Sequence, residues 1–128
     1  MGYGMSQMES SFFIKTIDKP IALKAIKDFV ASKERISWAY KSEIENARTL
    51  EDALEEFRWF PENDEEDNID SIYFQGEKSG DDDLLFNAIA PYVRAGSYIQ
   101  MCGEDGTIWR FTFDGEIHEE IYAELVFK

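Results

Sequence analysis

A chain of 128 residues with 44% hydrophobic and 15% aromatic content has enough apolar material for one domain with a real core, and too little length for two of ordinary size. Its single cysteine, Cys102, excludes an internal disulfide, and no apolar run approaches the roughly 20 residues that a spanning helix requires. The net charge is −14, of which −13 falls between Glu43 and Asp83, where sixteen acids stand against Arg48, Arg58 and Lys78; phosphate backbones would be repelled by such a surface, so direct nucleic-acid binding is disfavoured.

The opening MGYGMSQMESS has no basic start followed by an apolar stretch, so it does not read as a secretory signal, and a cytoplasmic location is expected. Gly2 and Ser6 match the short N-myristoylation pattern, but the stronger expectation is a flexible N-terminus over residues 1–10, followed by a single domain over 11–128. Ser11 to Ile17 reads as a strand. Asp18, with Pro20 just after it, suits the start of a helix to about Ser32. Ala22, Ile26, Phe29 and Val30 give that helix an apolar stripe. Lys19, Lys24 and Lys27, with the nearby Lys33 and Arg35, give it a basic side that reads first as an ordinary exposed helix face and second as able to attract the acidic stretch within the fold. Ile36, Trp38 and Tyr40 alternate with Ser37, Ala39 and Lys41 as in a short half-buried strand.

Thr49 and Asp52 form a variant capping box before Leu50, Ala53, Leu54 and Phe57, whose spacing predicts a short helix. A strand stub over Phe57–Phe60 then precedes Pro61, and the acidic segment near 61–68 is predicted to be an exposed loop. Asn68 to Glu77 is rich in β-formers. Asp81, Asp82 and Asp83 stand at the start of a helix with Leu85, Ala88, Ile89 and Tyr92 on one face, where carboxylates favour the positive end of the helix dipole. Pro91 should kink or end that helix, with Gly96 terminating it.

Ser97–Cys102, Thr107–Phe113 and Glu116–Val126 are three alternating runs, and Asp114-Gly115 is a two-residue hairpin signal. The alternation places Trp109, Phe111 and Phe113 on one face, with Trp109 and Phe111 as core anchors, and Ile108, Arg110 and Thr112 on the other. On the last strand Ile117, Ile121 and Leu125 oppose His118, Glu120 and Glu124, and Arg110 is expected to pair with Glu119, Glu120 or Glu124. These elements predict an α+β two-layer sandwich, with helices on one face of a mainly antiparallel sheet and a C-terminal three-stranded meander.

Gly103-Glu104-Asp105-Gly106, Trp109-Arg110 and Phe113-Asp114-Gly115 together resemble a hairpin signature of small uncharacterised proteins from bacteria, their phages or mobile elements. The resemblance covers about the last third of the chain. It implies a sandwich similar to the ferredoxin-like kind, but no reaction and no catalytic residue.

Cys102 and His118 would both be needed for a Cys-His nucleophilic pair, and nothing besides their presence supports one. Cys102 closes a strand beside a turn, where a small apolar side chain is the ordinary reading, and His118 lies in an alternating strand next to acids. One Cys and one His leave a zinc site short of ligands. The run from Glu62 to Asn68 lacks the glycine and terminal glutamate of an EF-hand loop, which leaves it a solvated loop with weak divalent binding as the lesser reading. No cofactor, metal or catalytic residue is assigned, and the chain is read as a non-enzyme. The expected function is an acidic protein-binding inhibitor, in concrete form a phage or mobile-element anti-defence protein (anti-CRISPR or anti-restriction). Glu51, Asp52, Glu55, Glu62, Asp64, Glu65, Glu66, Asp67, Asp70, Asp81, Asp82 and Asp83 would mimic nucleic acid on the basic surface of a nucleic-acid-binding effector or toxin. A toxin-neutralising immunity protein has the same physical requirements. The alternative class is a small enzyme or ligand-binding domain with a concave site near Trp109, Arg110 or Tyr98.

Overall fold

A computed structural model describes residues 4–32, 41–76 and 82–123. Strand β1 (Met5–Ser11) leads through a 3-10 turn at Thr16–Asp18 into α1 (Lys19–Ala31). Helices α2 (Lys41–Glu45) and α3 (Leu50–Glu56) precede the hairpin of β2 (Trp59–Asn63) and β3 (Ile69–Phe74), and α4 (Asp82–Ile89) leads through a second 3-10 turn (Ala90–Tyr92) to β4 (Tyr98–Gly103), β5 (Ile108–Phe113) and β6 (His118–Tyr122). The result is an α+β fold with the expected C-terminal meander. The main sheet has the order β1-β4-β5-β6, all antiparallel, and β2-β3 forms a separate pair.

The two sheets meet along β1 and β3, where side chains replace a backbone ladder. The Gln7 carboxamide donates from Nε2 to the Ile72 carbonyl at 2.9 Å and accepts at Oε1 from the Phe74 N–H at 2.7 Å, the two bonds a strand residue would supply. Further along, Ile14 exchanges both backbone bonds with Ile69 at 2.9 Å and also bridges Val93. Between these fixed points an open groove of about 500 Å³ runs past Ser6, Met8, Ser71 and Tyr73. Because Ile72 turns its carbonyl towards Gln7 and away from β2, Pro61 opposite it occupies a non-hydrogen-bonded position, where the missing N–H costs no ladder bond.

The first strand lies earlier than predicted. Residues 5–10, expected to precede the domain as a flexible segment, pair with β4 from Met5↔Gly103 to Ser11↔Tyr98, with a bulge at Met8. The apolar Phe12-Phe13-Ile14 run instead plugs the junction of the sheets, with Phe12 and Ile14 fully buried. Strand formation here follows the availability of the β4 edge rather than residue propensity. Asp18 makes no side-chain cap on α1, which starts directly from the preceding 3-10 turn. The strand predicted over Ile36–Lys41 lies outside the described residues except for Lys41, which opens α2. Asp81 and Leu125 also lie outside them.

The helices cover one face of the main sheet. Ala22, Ile26 and Val30 of α1, Leu50, Ala53 and Leu54 of α3 and Leu85, Phe86 and Ile89 of α4 share one core with Ile99, Met101, Trp109, Phe111 and Phe113, and α3 packs along β2. Phe86 is the hub, with its ring 4.8 Å from Phe111, 5.1 Å from Trp59 and 5.6 Å from Phe113. These are edge-on and tilted geometries, which aromatic quadrupoles favour.

At the Asp114 turn the central pair is Gly115 and Glu116, one residue later than the Asp-Gly signal predicts. Asp114 Oδ1 accepts from the N–H groups of Glu116 and Ile117, and Gly115 takes a φ of +97°. The resulting register, Phe113↔His118, turns His118 and Glu120 towards the helices and leaves Ile117 and Ile121 half exposed on the outside. Arg110 pairs with Glu9 of β1, at 3.3 Å, instead of the acids of β6, because Glu9 and Gln100 occupy its own cross-strand row.

Truncating Phe111 to Ala should open a cavity beneath Phe86 and Trp59 and cost about 3–5 kcal/mol. Denaturant titration reads this directly, and an unchanged midpoint would show that the aromatic cluster is not the core.

Candidate functional site

The acidic stretch folds into a ridge built from α3 and the turn between β2 and β3. Thr49 caps α3, its hydroxyl accepting from the Asp52 N–H at 3.1 Å, and this sets Glu51, Asp52, Glu55 and Glu56 on the helix. Asn63, at the end of β2, joins helix to turn, because its amide donates to Glu51 Oε2 and to Asp67 Oδ1, both at 2.9 Å.

The turn itself is ordered by its own carboxylates and by α1. Asp64 accepts from the N–H groups of Glu66 and Asn68 and from the Asn68 side chain at 2.9, 3.0 and 3.1 Å. The Asn68 contact, foremost among these, lowers the Asp64 carboxyl below its ordinary value. Thr16 closes the turn from the other side, donating from its hydroxyl to the Glu66 carbonyl at 2.8 Å and from its N–H to Asn68 Oδ1 at 2.9 Å. Asp67 sits at a φ of +65°, a left-handed conformation that aspartate tolerates better than most residues. The predicted solvated loop is therefore a pinned turn.

Lys19 stands behind both parts. Its side chain is 10% exposed, and its ammonium lies 2.6 Å from Glu51 Oε2 and 3.3 Å from Asp67 Oδ2. For Glu51, burial acts to raise the pKa, and the hydrogen bonds from Lys19 and Asn63 outweigh it, so the group ends below its ordinary value. Glu55 goes the other way, raised first by burial and then by repulsion from Asp52, Glu51 and Glu56. Crowded like charges on one helix face leave repulsion that an approaching cation relieves.

Of the predicted site residues, α3 and the turn bring together Glu51, Asp52, Glu55, Glu62, Asp64, Glu65, Glu66 and Asp67, with Asp70 exposed on the adjoining strand. Glu51, Asp64 and Asp67 are internally engaged, whereas Asp52, Glu65 and Glu66 are exposed. Asp82 is a correction. It is 3% exposed and accepts from Trp59 Nε1 at 2.7 Å, so it anchors α4 to β2 and offers nothing to a partner. Its place in the 82, 85, 86, 89 stripe with Leu85, Phe86 and Ile89 was the sequence signal for this inward direction. Asp83 is exposed at the same end of α4, near His118.

An open depression of about 520 Å³ adjoins the ridge, lined by Lys19, Leu23, Arg48, Leu50, Glu51, Asn63 and Asp67 among others. Near Trp109 and Arg110 the sheet has a second, smaller open hollow of about 380 Å³. Cys102 and His118 cannot act together: Cys102 lies on the outer face opposite Ile108, and His118 on the inner face at the other end of β5. His118 packs against Phe86, Phe111 and Phe113, and burial lowers its pKa. Among the described residues no three His, Cys, Asp or Glu side chains group as metal ligands would, and no helix is long and apolar enough to cross a membrane.

A carboxyl lowered in the folded state contributes stability above its unfolded-state pKa, near 4.5 for Glu51, and that contribution is lost as pH falls through the folded-state value. Replacing Lys19 by Met is therefore expected to flatten the acid limb of the stability curve as well as to lower it. Denaturation at a series of pH values checks this, and parallel wild-type and variant curves would show that the pair carries no stability. Compared with protein-family models, curated proteins and solved structures, the chain finds no match.

Proposed function

We propose that this protein is a non-enzymatic inhibitor that docks an acidic ridge on the basic surface of another protein. In the concrete version it is borne by a phage or mobile element and stands in for nucleic acid on a nucleic-acid-cleaving defence effector, an anti-CRISPR or anti-restriction role. The observation that supports this reading is the order of the β2–β3 turn: Asp64, Thr16, Asn63 and Lys19 hold it from four sides while Glu65 and Glu66 project into solvent. Charges held in place before binding lose little freedom when a partner arrives, so they contribute more to affinity than the same charges on a mobile loop. Like-charge crowding around Glu55 adds to the gain on meeting a cation. An immunity protein against a basic toxin would use the ridge in the same way.

The depression beside Lys19 favours a second reading, a small ligand-binding domain, because there polar and apolar groups converge on one concavity. Reversing Asp52, Glu65 and Glu66 to Lys separates the two. These residues do not line the depression, and as exposed charges each should change folding stability by no more than about 1 kcal/mol.

A partner captured from the native host should bind the triple variant more weakly and associate more slowly with wild type as salt rises through physiological strength, where the screening length is about 8 Å. Asp67 is left intact because its reversal would break the contacts to Lys19 and Asn63. Association indifferent to both salt and the three reversals would overturn docking through the ridge.

A further inference from the structure

The helices cover the inner face of the four-stranded sheet, and among the described residues nothing covers the outer one. That face carries Met8, Ile117 and Ile121, each about half exposed at 52%, 54% and 50%, with Tyr98, Ile108 and Thr112 half-buried between them. Its charged side chains are few. Glu9 and Arg110 neutralise each other at 3.3 Å, and Glu119 stands nearer the edge. The Arg110 guanidinium lies 4.5 Å over the Tyr98 ring and donates from Nε to Gln100 Oε1 at 2.8 Å, so the centre of the face is ordered in advance.

We propose that this face is a homodimer interface, occupied by a second copy of the chain packed sheet on sheet about a two-fold axis. Charge distribution selects the occupant. A strongly basic partner is drawn to the ridge at α3, where the negative charge is concentrated, whereas two copies of a protein of charge −14 approach at least cost through their nearly neutral faces.

The register supplies the symmetry. Glu9, Gln100 and Arg110 are consecutive neighbours in one cross-strand row, so Glu9 and Arg110 lie one strand either side of β4. An axis parallel to β4 and passing over Gln100 sets each Arg110 against the Glu9 of the other copy. The same operation brings the bulged Met8 over the partner's β5, where the hollow of about 380 Å³ between Gln100, Ile108, Arg110 and Ile121 lies open. Sheets packed in this way stand about 10 Å apart, with strand directions within about 30° of each other, and the axis parallel to β4 falls inside that range. The contact is isologous, as a closed dimer requires.

Sedimentation equilibrium on the full chain tests this. Wild type should sediment at twice the chain mass. Arg110→Glu and Glu9→Arg should each shift the protein to monomer, and the two together should restore the dimer by exchanging the charges across the axis. Ile121→Glu should also give monomer, with circular dichroism confirming the fold, while Ile17→Glu, at a position 82% exposed and outside the sheet, should leave the dimer intact. Wild type that stays monomeric up to about 1 mM, or a dimer that survives both Arg110→Glu and Ile121→Glu, would overturn the proposal.

Discussion

The buried Lys19 ammonium is the contact on which the arrangement of the acidic stretch depends. Sixteen carboxylates between Glu43 and Asp83 repel one another, and a segment so charged would favour an extended state unless some of that charge were compensated inside the fold. Lys19, at the N-terminus of α1, meets Glu51 of α3 and Asp67 of the hairpin turn together. One cation thus fixes three elements. Desolvating an ammonium is costly, and an ion pair in such a place adds little net stability over an apolar substitute. What it does supply is a shared tie, because the ammonium and the Asn63 amide both bond Glu51 of α3 and Asp67 of the turn.

A second constraint acts at the seam between β1 and β3. β1 and β3 lie side by side but belong to separate sheets, of order β1-β4-β5-β6 and β2-β3. The bulge at Met8 bends β1 away. Gln7 then supplies through its side chain the pair of bonds the backbone no longer makes. Ile14 holds the far end of the seam through its backbone pair with Ile69. The neighbouring Asn68 meets Thr16, so the seam runs directly into the contact that closes the β2–β3 turn.

Much of the fold was legible because period-two and helical spacing survive wherever a face is buried. The alternation of Trp109, Phe111 and Phe113 marked the inner face of β5, and the Thr49 cap marked the start of α3. The failures have two causes, pairing partners distant in sequence and a local phase that was misread. β1 is polar, and its strand character comes from the free edge of β4, which no local pattern records. The inward direction of Asp82 was written in the phase of α4, but a carboxylate at a helix start was read as exposed, and Phe86, the centre of the aromatic cluster, was left out of the predicted stripe. Arg110 took Glu9 rather than a β6 acid because strand order, absent from the sequence, puts β1 within its reach. Within the candidate site, composition located the charge. Which carboxylates are spent internally depends on Lys19, Asn63 and Thr16, all distant in sequence.

Separating the acidic ridge from the neutral outer sheet has an electrostatic consequence. A uniform coat of charge repels any approach equally, but here the repulsion is directional: Arg110 and Glu9 cancel at the centre of the open sheet face, while Glu65 and Glu66 stand clear on the turn. The screening length at physiological salt, about 8 Å, is shorter than the span of a domain this size, so the two surfaces act almost independently. If the ridge docks on a basic partner and the sheet face on a second copy, raising salt weakens the attraction at the ridge, whereas at the sheet face it screens both the residual repulsion between copies and the Arg110–Glu9 pairs across the axis. The two effects at the sheet face oppose each other, so its contact is the less sensitive to salt of the two.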